Sequence, residues 1–230
     1  MTTGRDRFFQ MSEASPTVLP SLLLCDFGNL EREIEQLEEA GVAGLHLDVM
    51  DGVFVPNFTY GITIVSAIRK LTELPIDVHL MMVNPEKYID QFCEAGADVL
   101  TIHVESTDNP VAALESIRKH DVASGIAVNP DTPASDMEAA IAVADLALVM
   151  SVHAGFGGQS FIEAVLPKFE EIRNMSGGDS VTLEIDGGIN AGTIAAATEA
   201  GAQLLVAGSA IFKQEDYATA LEALMAKVHV

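Results

Sequence analysis

Residues 30–52 read LEREIEQLEEAGVAGLHLDVMDG, and a change of period inside this stretch decides the fold. In its first half Leu30, Ile34 and Leu37 recur at helical spacing, while Glu31, Glu35, Glu38 and Glu39 take the opposite face. That is a helix with one buried side. Gly41 stops it, since glycine most readily adopts the left-handed turn that follows a helix. The second half alternates, as strands do. His46, Asp48 and Met50 share one face, and Leu45, Leu47 and Val49 share the other. The same Glu-Ala-Gly stop returns at residues 94–96 and 199–201.

Working outward, the same alternation of short apolar run and amphipathic stretch fills the chain. Strands are predicted at Val18–Leu23, Gly44–Val49, Ile76–Leu80, Val99–Val104, Gly125–Val128, Leu146–Val152, Val181–Ile185 and Gln203–Val206. Helices are predicted at Leu30–Ala40, Ile62–Leu71, Pro85–Ala95, Asn109–His120, Ala134–Val143, Phe161–Met175, Ala191–Ala200 and Asp216–Val228. Eight β–α units predict a single-domain α/β fold, the (β/α)8 TIM barrel, over residues 17–230. A doubly wound sheet is the alternative, weakened because no GxGxxG follows the first strand. Residues 1–16 are polar with no clear period and read as an N-terminal leader, flexible or an arm.

Composition narrows the function. Hydrophobic residues make up 49 % of the 230, enough for a large core. The 12 Lys+Arg against 34 Asp+Glu give a formal net charge of −22. Nucleic acids and anionic membranes call for basic patches, so neither is an expected partner. A small phosphate is still acceptable, because backbone N–H groups hold it without cationic side chains. No apolar run is long enough to span a bilayer, and no signal-peptide pattern opens the chain. Two cysteines, Cys25 and Cys93, form no CxxC pair and read as reduced thiols. A cytoplasmic location is the expectation.

Three strands end in chemistry-bearing residues. On the second, His46, Asp48 and Met50 share a face. Barrel interiors are normally bulky and apolar, so inward His and Asp need a partner or a ligand. The third strand, Asp77-Val78-His79-Leu80-Met81, puts His79 and Met81 on one face. The seventh ends Glu184-Ile185-Asp186, just before Gly187-Gly188. Two imidazoles and two carboxylates at strand C-termini suit a divalent transition metal with room left for substrate. Independent buried His–Asp hydrogen bonds are the bland alternative. Three consecutive glycine-rich turns, HAGFGGQSF (153–161), DGGI (186–189) and AGSAIF (207–212), lie at the same end. Glycine allows close backbone approach to an anion, and the last two loops of such barrels usually grip phosphate.

The segments LPSLLLCDF (19–27), HLDVMDGVFVPN (46–57), DVHLM (77–81), GIAVNPDTP (125–133), MSVHAGFGGQSF (150–161), EIDGGI (184–189) and VAGSAIF (206–212) resemble the ordered signature blocks of the ribulose-phosphate 3-epimerase family. The resemblance runs in one register from about residue 18 to the end. It implies metal-dependent interconversion of D-ribulose 5-phosphate and D-xylulose 5-phosphate. His46, Asp48, His79 and Asp186 would bind one divalent cation (zinc, iron, manganese or cobalt), and Asp48 and Asp186 would be the acid–base pair. Ser21 would hydrogen-bond substrate. Met50, Met81 and Met150 would form a sulfur-lined wall. His79, Gly155, Phe156, Gly157, Gly158, Gly187, Gly188, Gly208 and Ser209 would complete the substrate site. Assembly into a homo-oligomer is a further implication.

One departure stands out. The family usually has Pro before GFGGQ, where this chain has His153-Ala154. His153 is open as a surface imidazole, a substrate contact or a mark of altered specificity. The alternatives are a 3-epimerase for another ketose phosphate, such as D-allulose 6-phosphate, or a lyase on the same barrel. A Schiff-base lyase needs an inward lysine at a strand end, and no lysine of the sequence falls there.

Overall fold

In the computed structural model, residues 2–14 and 16–228 are described. The alternating runs form eight parallel strands: β1 Thr17–Pro20, β2 Leu45–Met50, β3 Ile76–Met81, β4 Val99–His103, β5 Ala123–Val128, β6 Leu146–Met150, β7 Thr182–Asp186 and β8 Leu204–Ala207. They pair in the order β1-β8-β7-β6-β5-β4-β3-β2, and a parallel bridge between Ser21 and His46 joins the two end strands. The sheet is therefore a (β/α)8 barrel.

Register decides what faces inward. His46 pairs with Asp77, Asp48 with His79 and Met50 with Met81, so these six side chains share the inner face. On the opposite arc Leu148 pairs with Glu184 and Met150 with Asp186. The other faces of the strands pack against α2 Leu30–Glu39, α3 Ile62–Leu71, α4 Ile89–Ala95, α5 Pro110–Arg118, α6 Glu138–Ile141, α7 Pro167–Arg173, α8 Ile194–Glu199 and α10 Tyr217–Met225. This interface is the main apolar core. The stops at Gly41, Gly96 and Gly201 all take positive φ, of 78°, 110° and 109°. Among the described residues, no helix is long and apolar enough to cross a membrane.

Within the expected leader over residues 1–16, Gly4–Ser12 form a helix, α1. Thr3 caps it reciprocally with Asp6, the arrangement of a capping box. Phe8 is 0 % exposed and enters the barrel with Met11 among Leu19, Val99, Ala123, Leu146 and Leu204. Arg5 holds Asp145 through two hydrogen bonds of 2.7 and 3.0 Å, and Arg7 holds Asp98 at 2.7 Å. Asp98 and Asp145 sit just before β4 and β6, so α1 closes the amino-terminal mouth of the barrel.

Several element boundaries also differ. Leu22–Leu24 form a 3-10 turn, not the end of β1. The helix expected from Phe161 begins at Pro167, after a short 3-10 turn at Glu163–Val165. The reason lies upstream: the N–H of Ile162 is bound to Ser151 O at 2.8 Å, which holds 161–162 across the barrel mouth. The last loop also carries an unexpected short helix, α9 Ser209–Phe212.

Candidate active site

The site grows from the inner-face residues of β2, β3 and β7. His46 and His79 are fully buried, and Asp48 is almost so. His46 Nδ1 lies 2.6 Å from Asp77 Oδ2, so its other nitrogen, Nε2, is turned toward the mouth. That Nε2 is 3.3 Å from Asp48 Oδ1 yet has no hydrogen-bond partner. His79 uses the opposite nitrogen: its Nδ1 lies 3.2 Å from Asp48 Oδ1 and 3.9 Å from Asp186 Oδ2. One donor atom from each of His46, Asp48, His79 and Asp186 falls within 4.8 Å of all the others. Ser21 donates to the second oxygen of Asp48 at 2.6 Å, so its hydroxyl orients that carboxylate.

Four carboxylates crowd this interior, and their protonation follows from burial and neighbours. Burial works against the Asp48 anion, but His46 and His79 outweigh it and hold the carboxyl far below the usual range. Burial and the nearby charge of Asp48 push Asp186 up to about 7. Burial, then Asp77, raise Glu184 well above an ordinary glutamate. Burial disfavours the His46 cation, yet Asp77 and Asp48 carry its pKa well above the ordinary value. His79 is pushed down to about 4, chiefly by burial. The cluster thus holds an excess of acid around an orphaned imidazole nitrogen. Two nitrogens and two carboxylates fit one divalent transition metal, which would take up that excess.

Above the cluster opens a small pocket. Asp48, Asp186, Met50, Met81 and Met150 form its floor and wall, with Ser21 beside them. Gly155, Phe156, Gly157, Gly158, Gly187, Gly188, Gly208 and Ser209 also line it. His46 and His79 lie beneath this lining. Gly188 is irreplaceable on two counts. Its φ is +66°, and a Cβ there would meet the Phe161 nitrogen at 2.8 Å. No lysine or arginine lines the pocket among the described residues. His153 points away from it: the ring is 61 % exposed, with Nδ1 3.7 Å from Asp131. Ala154 takes a place in the lining.

Sequence reading passed over Asp77, Glu184, His103 and Glu105. The signal for His103 was present, since Thr101 and His103 share a strand face just as His46 and Asp48 do. Asp77 and Glu184 lie two residues before His79 and Asp186, so they share the inner face and support the deeper layer.

Acidic and imidazole groups gathered at the carboxyl mouth of a (β/α)8 barrel, beside glycine-rich loops, define the active-site end of a barrel enzyme. Residues 17–212 match the family model described as Ribulose-phosphate 3 epimerase family. A ribulose-phosphate 3-epimerase of Bacillus subtilis (strain 168) is 46 % identical over 202 residues, covering 86 % of this chain and 93 % of that protein. One of Synechocystis sp. is 47 % identical over 208 residues, covering 89 % and 90 %. A crystal structure of 3-hexulose-6-phosphate synthase superposes with a TM-score of 0.70 at 19 % identity, covering 93 % of this chain and 100 % of that one. That last likeness is one of fold. The chain belongs to the ribulose-phosphate 3-epimerase family, and epimerases are isomerases.

Proposed function

We propose that the chain interconverts D-ribulose 5-phosphate and D-xylulose 5-phosphate by moving a proton at carbon 3. One observation carries this: Asp48 on β2 and Asp186 on β7 face a single pocket in a chain whose relatives are named for that activity.

Inverting a centre beside a ketone requires a proton to leave one face and return on the other. One base cannot serve both faces, but two carboxylates can exchange the roles of acid and base. Asp48, held ionised and oriented by Ser21, suits the role of base. Asp186, on the far side of the same pocket, suits the partner that returns a proton to the opposite face. In the reverse direction the roles swap. Met50, Met81 and Met150 add polarisable apolar bulk and no competing proton. The glycine backbones would hold the phosphate through N–H groups. The loop from Gly155 to Gln159 would close over it and exclude water.

His46, Asp48, His79 and Asp186 would hold one divalent cation, whether zinc, iron, manganese or cobalt. When bound, it would supply Lewis-acid stabilisation of the negative charge that develops on the substrate. The free, buried Cys25 and Cys93 fit a reducing cytoplasm. Val53 and Phe58, 73 % and 74 % exposed on the loop after β2, offer apolar surface for assembly of copies.

A Schiff-base lyase reading loses support, because no lysine lines the pocket among the described residues and Lys168 is committed elsewhere. Its ammonium donates to the carbonyls of Asn129, Pro130 and Thr132. Solvent deuterium tests the main reading. Ribulose 5-phosphate should gain deuterium at carbon 3 as xylulose 5-phosphate forms. No exchange there, or faster turnover of D-allulose 6-phosphate, would reject it.

A further inference from the structure

We propose that His103 is a positioning residue that fixes the tautomer of His79, so that His79 presents a lone pair rather than an N–H to the four-residue cluster. This rests on the reading of that cluster as a cation site. His79 Nε2 lies 2.8 Å from His103 Nε2, and His103 Nδ1 lies 3.1 Å from Glu105 Oε2. The Glu105 carboxylate only accepts hydrogen bonds. His103 therefore carries its proton on Nδ1 and accepts at Nε2. His79 must then donate from Nε2, which leaves Nδ1 bare. That Nδ1 is the atom facing Asp48 and Asp186.

Of the two groups beside His103 Nδ1 the Glu105 carboxylate is the nearer: the Asn129 side-chain NH2, a donor, lies 3.3 Å away, and the Asn129 backbone N–H donates to Glu105 Oε1 at 2.8 Å. His103 is 0 % exposed, and the Phe54 ring covers it at 4.8 Å between centroids. The two histidines of the cluster are thus set by different means. Asp77 fixes His46 directly, and an imidazole with a carboxylate behind it fixes His79. Partners behind a ligating histidine commonly set its tautomer and basicity.

The test is Co2+ binding to chelator-treated protein, read by calorimetry and by the visible spectrum of the bound ion. His103→Phe removes the acceptor and keeps a planar buried ring, while His103→Gln restores an acceptor. His103→Phe should weaken Co2+ binding about 10- to 100-fold, with His103→Gln within about threefold of the parent. Glu105→Leu, which leaves both rings in place, should weaken it in the same direction. Long-range nitrogen–proton spectra of the metal-free protein should show His79 protonated on Nε2, and that preference should vanish in His103→Phe. Parent-like Co2+ binding by both His103→Phe and Glu105→Leu overturns the inference, as does an Nδ1-protonated His79 in the parent. If His103→Phe fails to fold, Glu105→Leu and the parent spectrum decide alone. A parent that binds no Co2+ rejects the cation-site reading instead.

Discussion

At the scale of single residues, the site sets two carboxylates in different environments. Asp48 has two imidazoles and a serine hydroxyl, while Asp186 has burial and a neighbouring anion. Asp186→Asn removes one of the two proposed acid–base groups and should lower kcat by about 10²- to 10⁴-fold. Circular dichroism and the unfolding midpoint should stay close to the parent. Near-parental turnover would end the two-carboxylate mechanism. Glu105 gives a prediction of stability against pH. Its carboxyl lies at about 2 in the fold, against an ordinary 4.5. A depressed carboxyl contributes stability that is complete above the ordinary value and lost as pH falls through the folded one. Glu105→Gln should therefore flatten the acid limb between those values, read as unfolding midpoint against pH.

At the scale of elements, α1 is the least expected piece. It is capped at Thr3, tied by Arg5 and Arg7, and anchored by Phe8 inside the barrel. Truncating a fully buried Phe costs about 3–5 kcal/mol. Phe8→Ala should lower stability by that amount in urea unfolding. Catalysis at the far mouth should be unchanged at temperatures where the protein stays folded. A change under about 1 kcal/mol would show that α1 is not integral to the barrel. The loop after β6 teaches a related point. Phe161 and Ile162 read as helix by periodicity, yet Ile162 is pinned to Ser151 O and Phe161 lies against Gly188. Support of the glycine cradle overrides local propensity there.

At the scale of the whole molecule, charge and cation are the two levers. A net charge of −22 on 230 residues makes the compact state repel itself. Raising monovalent salt from about 0.05 M to 1 M shrinks the screening length from about 14 Å to 3 Å. The unfolding midpoint should rise with it, and a midpoint indifferent to salt would show the repulsion to be negligible. The acid cluster spans β2, β3 and β7, so a bound cation would clip three parts of the ring together. Chelation should lower both the unfolding midpoint and the activity, and one added divalent metal should restore both. A chelated protein unchanged in both would contradict the cation reading.

Local pattern by itself determined much of this protein. The period change within residues 30–52, repeated along the chain, fixes the β–α alternation, and strand alternation puts His46, Asp48 and Met50 on one face. His79, Met81 and Asp186 followed from the same rule. These signals are legible because helix and strand periods are properties of neighbouring residues. Only the tertiary structure decided the rest. It showed that α1 plugs the barrel through Asp98 and Asp145, that Ser21 turns toward Asp48, and that His153 faces Asp131. It also brought His103 and Glu105 to the back of His79. Each of these is a pairing between strands or loops distant in sequence. Its partner is chosen by the register and closure of the barrel, which no local period encodes.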